Sequence, residues 1–151
     1  MNPTSAASTG ILREYYADIV GTYHARPATP QEVDDAVADE PSADLDGMTG
    51  VLFVAVRHGS VVGCGGLRFV DGSTSELTRV FVRPDQRGGG VGERIVMELE
   101  RRARNEGHDL LRLNTRSDLS GARRLYSRLG YTEVGAFNSD PYAHHWLAKQ
   151  L

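Results

Sequence analysis

Residues 8–25 (STGILREYYADIVGTYHA) place Ile11, Leu12, Tyr15, Tyr16, Ile19, Val20 and Tyr23 three and four positions apart. That spacing predicts a helix with one apolar face. Arg26-Pro27 turns the chain. Thr29-Pro30-Gln31-Glu32 then carries an N-cap, a proline at the first helical position and an acid in the first turn. A short acidic helix to about Asp39 follows, and Pro41 to Gly50 is expected as a loop. There the period changes. Val51–Arg57, Val61–Val70 and Ser75–Arg83 are runs of strand formers separated by His58-Gly59-Ser60 and Asp71-Gly72-Ser73. They predict a three-strand meander. Helical spacing returns over Val91–Glu106, with Val91, Ile95, Leu99 and Ala103 inside and Gly107 as its stop. Asp109–Thr115 predicts a strand and Leu119–Leu129 a helix. Tyr131–Val134 and His144–Ala148 are expected as closing strands. The order predicts an α/β fold: an antiparallel meander followed by β-α-β-α-β units, one mixed sheet with helices on its faces.

Composition narrows the class. The chain has 151 residues, 40% hydrophobic and 25% charged, which suits one soluble globular domain over 1–151. No apolar run approaches the roughly 18 residues that span a bilayer. The start, MNPTSAASTG, lacks the basic and apolar regions of a secretory signal. No membrane partner is expected, and a cytoplasmic location is the default. The single cysteine, Cys64, lies in an apolar run and is expected as buried packing ahead of a nucleophile.

The net charge of −3 argues against general nucleic-acid binding. Its distribution is uneven. Residues 28–50 hold seven acids (Glu32, Asp34, Asp35, Asp39, Glu40, Asp44, Asp46) and no Lys or Arg, whereas residues 83–128 hold eleven arginines and seven acids. The two stretches can serve a cationic and an anionic ligand, or be two solvated faces. Lys149 is the only lysine.

Between the third strand and the next helix stands Arg83-Pro-Asp-Gln-Arg-Gly-Gly-Gly-Val-Gly92, with four glycines in five positions. A glycine-rich turn feeding a helix N-terminus presents free N–H groups and a positive dipole end. It is expected to cradle an anion, a flexible turn being the plainer alternative. A Walker loop would need a lysine and Ser/Thr that are missing here. A dinucleotide fingerprint would need a third glycine or alanine where Glu93 stands, and a parallel unit where a meander stands.

The spacing Arg87-Gly88-Gly89-Gly90-Val91-Gly92 resembles the coenzyme A loop of the GCN5-related N-acetyltransferase (GNAT) superfamily. So do Leu111-Arg-Leu-Asn-Thr115 and Ala122-Arg-Arg-Leu-Tyr-Ser-Arg-Leu-Gly-Tyr131. The tail Pro141-Tyr-Ala-His-His-Trp146 is similar to one subset, including domains fused to MarR-type regulators. The resemblance covers about two-thirds of the chain, from Val51 onward. It implies an acetyl-CoA-binding core over 51–151 and a helical, acceptor-side region over 1–50. It implies an N-acetyltransferase that moves acetyl from acetyl-CoA to a primary amine of a small molecule or peptide in a ternary complex. A non-catalytic acyl-CoA-binding or sensor domain is the alternative, and a nucleotide-binding module a third. No metal is implied, and a homodimer is common in the family. Members usually open with a strand before the first helix, which residues 1–10 hardly supply. Many also carry Asn where Leu119 stands, which leaves Asn114 or Ser117 to meet the cofactor.

The resemblance assigns the cofactor to Phe81, Val82, Arg87, Gly88, Gly89, Gly90, Val91, Gly92, Asn114 and Tyr126, with Arg87 placing a charge near the phosphates. A backbone N–H near Phe81 or Val82 would hold the oxyanion. Tyr126 would protonate the leaving thiolate. Glu76 is the expected general base. Simple alternation would put Glu76, Thr78, Val80 and Val82 on one face, beside the acetyl group. Of His144 and His145, alternation lets one face the cleft, though a surface or packing role is the plainer expectation for both. Tyr15, Tyr16 and Tyr23 are expected in the core or the acceptor pocket.

Overall fold

The computed structural model describes residues 2–117 and 119–151. Its elements are α1 (Ala6–His24), α2 (Pro30–Asp39), β1 (Gly50–Arg57), β2 (Ser60–Phe69), β3 (Thr74–Val82), α3 (Val91–Asn105), β4 (Leu110–Thr115), α4 (Ser120–Arg128), β5 (Thr132–Glu133) and β6 (His145–Gln150). Each helix and strand expected from the pattern is present, with ends displaced by no more than two residues. One turn of 3-10 helix over Pro84–Gln86 is additional. Among the described residues no strand precedes α1.

The helix ends follow local chemistry. The Ser5 hydroxyl accepts the Ser8 N–H and starts α1. Thr29 and Glu32 form a reciprocal capping box at α2, with Pro30 in its first turn. Arg26 forks onto the Glu32 carboxylate at 2.8 and 2.9 Å, which holds that carboxyl down at about 2.

Six strands form one sheet in the order β1-β2-β3-β4-β6-β5. β1, β2 and β3 are an antiparallel meander. β3 and β4 run parallel but pair only from Thr74–Leu110 to Glu76–Arg112. Beyond that point the two strands separate, while β4 stays paired with β6 as far as Thr115–His145. The sheet therefore opens between the C-terminal halves of β3 and β4.

Each face has its own core. On one, α3 and α4 cover Val51, Leu67, Leu77, Leu111, Leu113 and Leu147 with Ile95, Val96, Leu99 and Tyr126. On the other, α1 and α2 cover Leu52, Cys64 and Phe81 with Ile11, Leu12, Tyr16 and Val33. Burying a side chain such as Leu99 or Leu52 contributes about 1.5–3 kcal/mol each. The α3 face also holds a polar cluster: Tyr131 Oη donates to Glu100 Oε2 at 2.7 Å, and Lys149 Nζ lies 3.0 Å from the same oxygen.

β3 does not alternate evenly. Cys64 pairs with Phe81 but Gly66 with Thr78, so β3 carries one extra residue opposite Gly65. Arg79 takes a left-handed backbone, φ 57°. An extra residue exchanges the two faces of a strand beyond it. Leu77 lies on the α3 face, and past the bulge it is Val80 and Val82 that pack there, while Phe81 turns to α1. The expected shared face of Glu76, Thr78, Val80 and Val82 is thus corrected: the bulge puts the first two on the α1–α2 side and the last two opposite. Gly65 opposite the bulge lets α3 approach the sheet, since a Cβ there would clash with the Ile95 side chain and meet Leu99 at 2.9 Å.

Candidate active site

The loop between β3 and α3 is built for backbone contact. Gly88 and Gly90 have φ of 85° and 83°, a conformation suited to glycine. Gly90 caps α3 without any side-chain hydrogen bond. The first intrahelical bond runs from Arg94 N to Gly90 O, so the N–H groups of Val91, Gly92 and Glu93 have no acceptor within the helix. Gly89 faces the Arg57 guanidinium, 3.5 Å from where its Cβ would lie. A Cβ at Gly92 would make ordinary contact with Leu125 and Val82 at 3.4 and 3.6 Å, which places the start of α3 beside both. Val91 packs partly buried against the α3-face core.

Arg87, expected to place a charge near the phosphates, lies between the loop and α1 in this structure. Its Nε donates to Val82 O at 2.8 Å, its guanidinium lies 5.8 Å from the Phe81 ring, and Nη2 stands 3.4 Å from Asp18 on α1. Arg83 likewise meets Glu14 at 3.1 Å. The two arginines tie the loop to α1.

The unpaired edge of β3 follows from its ladder. Arg83 N donates to Val62 O across the Val82–Gly63 pair. In an antiparallel ladder the residue so flanked turns its own N–H and C=O away from the partner strand. Val82 therefore directs both into the opening towards β4, while Phe81 spends its own on β2.

That opening leads into a cleft of about 730 Å3. Tyr15, Tyr16, Ile19 and Tyr23 of α1 form one wall, and Glu32, Asp35 and Asp39 of α2 extend it. Glu76, Thr78, Arg79 and Val80 come from β3, Asn114 and Thr115 from β4, Leu119, Ala122 and Tyr126 from α4's side, and Asp140 and Tyr142 from the segment before β6. Tyr126, Glu76 and Asn114 are thus brought to one cavity, as are all three expected tyrosines of α1. Tyr126 is buried and stacks edge-on against Tyr131 at 5.5 Å. Burial first, and then the Tyr15 phenol, push its hydroxyl well above the usual phenol value, so it is protonated at neutral pH. Glu76 lies 3.8 Å from Arg112 Nη2, and Arg112 lies under the Phe137 ring at 4.3 Å.

His144 and His145 take the surface or packing role that was the plainer expectation, and Cys64 is buried packing as expected. His144 Nδ1 accepts the Ser117 N–H at 2.9 Å; His145 sits between Glu133 Oε1 at 2.7 Å and Ser117 Oγ at 3.0 Å. Neither lines the cleft. Cys64 is fully buried, its thiol donating to Arg79 O, and burial pushes it up to about 12, which leaves no thiolate for nucleophilic work. Among the described residues no cluster of His, Cys, Asp or Glu has the makings of a metal site, and no helix is long and apolar enough to cross a membrane.

The sequence pattern missed Arg79, Arg116 and the segment 138–143. Arg116 Nη2 donates to Ile19 O at 2.9 Å and lies 5.5 Å from the Tyr23 ring, binding the end of β4 to α1. The glycines of Gly63-Cys-Gly-Gly66, unusual inside a strand, were the available signal for an irregular neighbour.

A β3–β4 opening flanked by an uncapped glycine turn is where the sequence resemblance puts the acyl-CoA donor. The model of the acetyltransferase (GNAT) family matches residues 12–131, and the chain belongs to that family. An IAA acetyltransferase of Azospirillum brasilense is 38% identical over 92 residues, 60% of this chain and 59% of that protein, so the match spans less than two thirds of that relative. An uncharacterized N-acetyltransferase of Schizosaccharomyces pombe is 31% identical over 119 residues, 78% of this chain and 69% of the other. Among solved structures, the PaiA N-acetyltransferase of Thermoplasma acidophilum, in complex with coenzyme A, superposes with a TM-score of 0.75 at 15% identity, covering 94% of this chain and 92% of that one. At that identity the likeness speaks for the fold.

Proposed function

We propose that this protein transfers the acetyl group of acetyl-CoA to a primary amine of a small molecule or peptide, directly and in a ternary complex. The observation that carries the reading is the convergence of three elements. The uncapped α3 N-terminus stands beside Val82 and Leu125 of α4, the outward Val82 N–H faces the opening, and the buried Tyr126 and Glu76 line the cleft to which the opening leads. Residues 51–151 would hold the donor and residues 1–50, with 138–143, would shape the acceptor pocket.

The pyrophosphate would rest on the free N–H groups at Gly88–Gly92. The thioester carbonyl would accept from the Val82 N–H, which holds the oxyanion as the amine nitrogen bonds to the carbonyl carbon. Glu76, directly or through a water, takes the amine proton. As the C–S bond breaks, the sulfur receives the Tyr126 proton. A thiolate leaving beside the buried Tyr126 would also be raised above its free value near 8.5, which brings it towards the phenol. With Glu32 paired to Arg26, the carboxylates of Asp35 and Asp39 on the same wall support a cationic acceptor.

Incubating the protein with acetyl-CoA and a panel of amines, and following free thiol, tests this. Turnover with at least one amine is expected, and Tyr126→Phe should lower kcat about 100-fold or more. Undiminished turnover in that variant removes Tyr126 as the acid. Acetyl-CoA binding without turnover on any amine favours a sensor domain.

A further inference from the structure

Arg79 is a buried cation whose hydrogen bonds, among the described residues, all go to uncharged oxygens, while the Glu40 and Asp44 carboxylates act on it only from a distance. Its Nε donates to Tyr16 Oη at 3.1 Å and to Ser42 Oγ at 3.2 Å, Nη1 to Thr78 Oγ1 at 2.6 Å, and Nη2 to Glu40 O at 3.1 Å. The faces of Tyr15 and Tyr16 lie 5.9 and 5.6 Å from its guanidinium carbon. Tyr16 Oη in turn donates to Glu40 O. Burying a charge among neutral oxygens is unfavourable compared with leaving it in water. The backbone here is left-handed as well, a region that side chains other than glycine, Asn and Asp rarely occupy. Two costs at one residue suggest a gain elsewhere.

The gain lies in what the bulge does to β3. Arg79 is the extra residue, and its presence turns the Val82 N–H, instead of the Phe81 N–H, into the opening. The side chain holds that extra residue from the acceptor side: α1 through Tyr16, the α2 exit through Glu40, and the following loop through Ser42. The Cys64 thiol holds its carbonyl from β2.

We propose that Arg79 is a positioning residue for acetyl transfer: anchored in the acceptor-side helices, it fixes the bulge that presents the Val82 N–H to the thioester carbonyl. The proposal rests on the reading of the β3–β4 opening as the donor site. Packing of α1 and α2 and alignment of the oxyanion donor are then one device. An acceptor that shifts α1 alters the donor geometry through this side chain.

The test uses Arg79→Gly, which suits the left-handed backbone and removes only the anchor. With acetyl-CoA labelled with 13C at the acetyl carbonyl, the wild-type protein should lower the carbonyl stretching frequency. In Arg79→Gly at least about half of that shift should vanish and kcat should fall about 10–100-fold, with KM for acetyl-CoA within about threefold. The double variant Tyr16→Phe, Ser42→Ala keeps the arginine but strips two of its anchors; it should move both readouts in the same direction by less. This second variant decides the matter if Arg79→Gly does not fold. An unchanged carbonyl shift and kcat in a folded variant overturn the proposal and leave the donor site standing. No acetyl-CoA carbonyl signal in the wild type overturns the donor site itself, and the role of Arg79 with it.

Discussion

The two faces of the sheet are built by different means. Under the proposed function the α3–α4 side would meet the donor chiefly with main chain: glycines, free helix N–H groups and one outward strand N–H. The α1–α2 side offers side chains: four tyrosines counted with Tyr142, several carboxylates and two buried arginines. Main-chain recognition constrains sequence tightly, because only glycine permits the turn and the close approach. Side-chain recognition constrains it loosely, because many residues make a wall. The donor is therefore legible as a motif, and the acceptor only as a charge balance.

Substitutions should divide along the same line. The largest effect is expected of Gly90→Glu, which puts a side chain on a left-handed residue and a negative charge at the phosphate cradle. Coenzyme A affinity by calorimetry should fall at least about 100-fold while the fold persists by circular dichroism. Retained affinity would show that the main-chain cradle is elsewhere. A smaller effect is expected on the other wall. Asp35→Asn with Asp39→Asn should raise KM for a cationic amine about 3–10-fold and leave KM for acetyl-CoA unchanged, since each exposed charge is partly screened. Equal changes in both constants would dissolve the distinction between the walls.

The smallest effect concerns pH. Cys64, in the α1–α2 core, is raised to about 12 from an ordinary value near 9. A raised group lends stability that is complete below its unfolded pKa and is lost as pH climbs through the folded one. Stability should decline from about pH 9 towards 12, and Cys64→Ala should flatten the first part of that decline in urea unfolding. Tyr15, raised to about 12 on the same side, joins only above about pH 10. An unaltered decline in Cys64→Ala would assign it to the tyrosines alone.

Helices and strands were legible because period and capping are local: Thr29-Pro30-Gln31-Glu32 announces α2, and the meander announces its own turns. The bulge was not, because no glycine marks the left-handed position. Arg79 holds it through partners at Tyr16, Glu40 and Ser42, 37 to 63 residues away. Glu76 and Tyr126 were found by resemblance, and the cleft does receive both. Where the Arg87 and histidine side chains point depends on tertiary contacts that the sequence pattern does not carry. Arg87 reaches α1, and the histidines reach Ser117 and Glu133.

The lone lysine has a consequence of its own. A protein that keeps an activated acetyl donor on its surface risks modifying itself. Here Lys149 is held against Glu100 beneath Tyr131, with less than a quarter of its side chain exposed, and every other basic side chain is arginine or histidine. Arginine does not take up acetyl as lysine does. Under the proposed function the chain offers its own reagent no freely exposed lysine side chain.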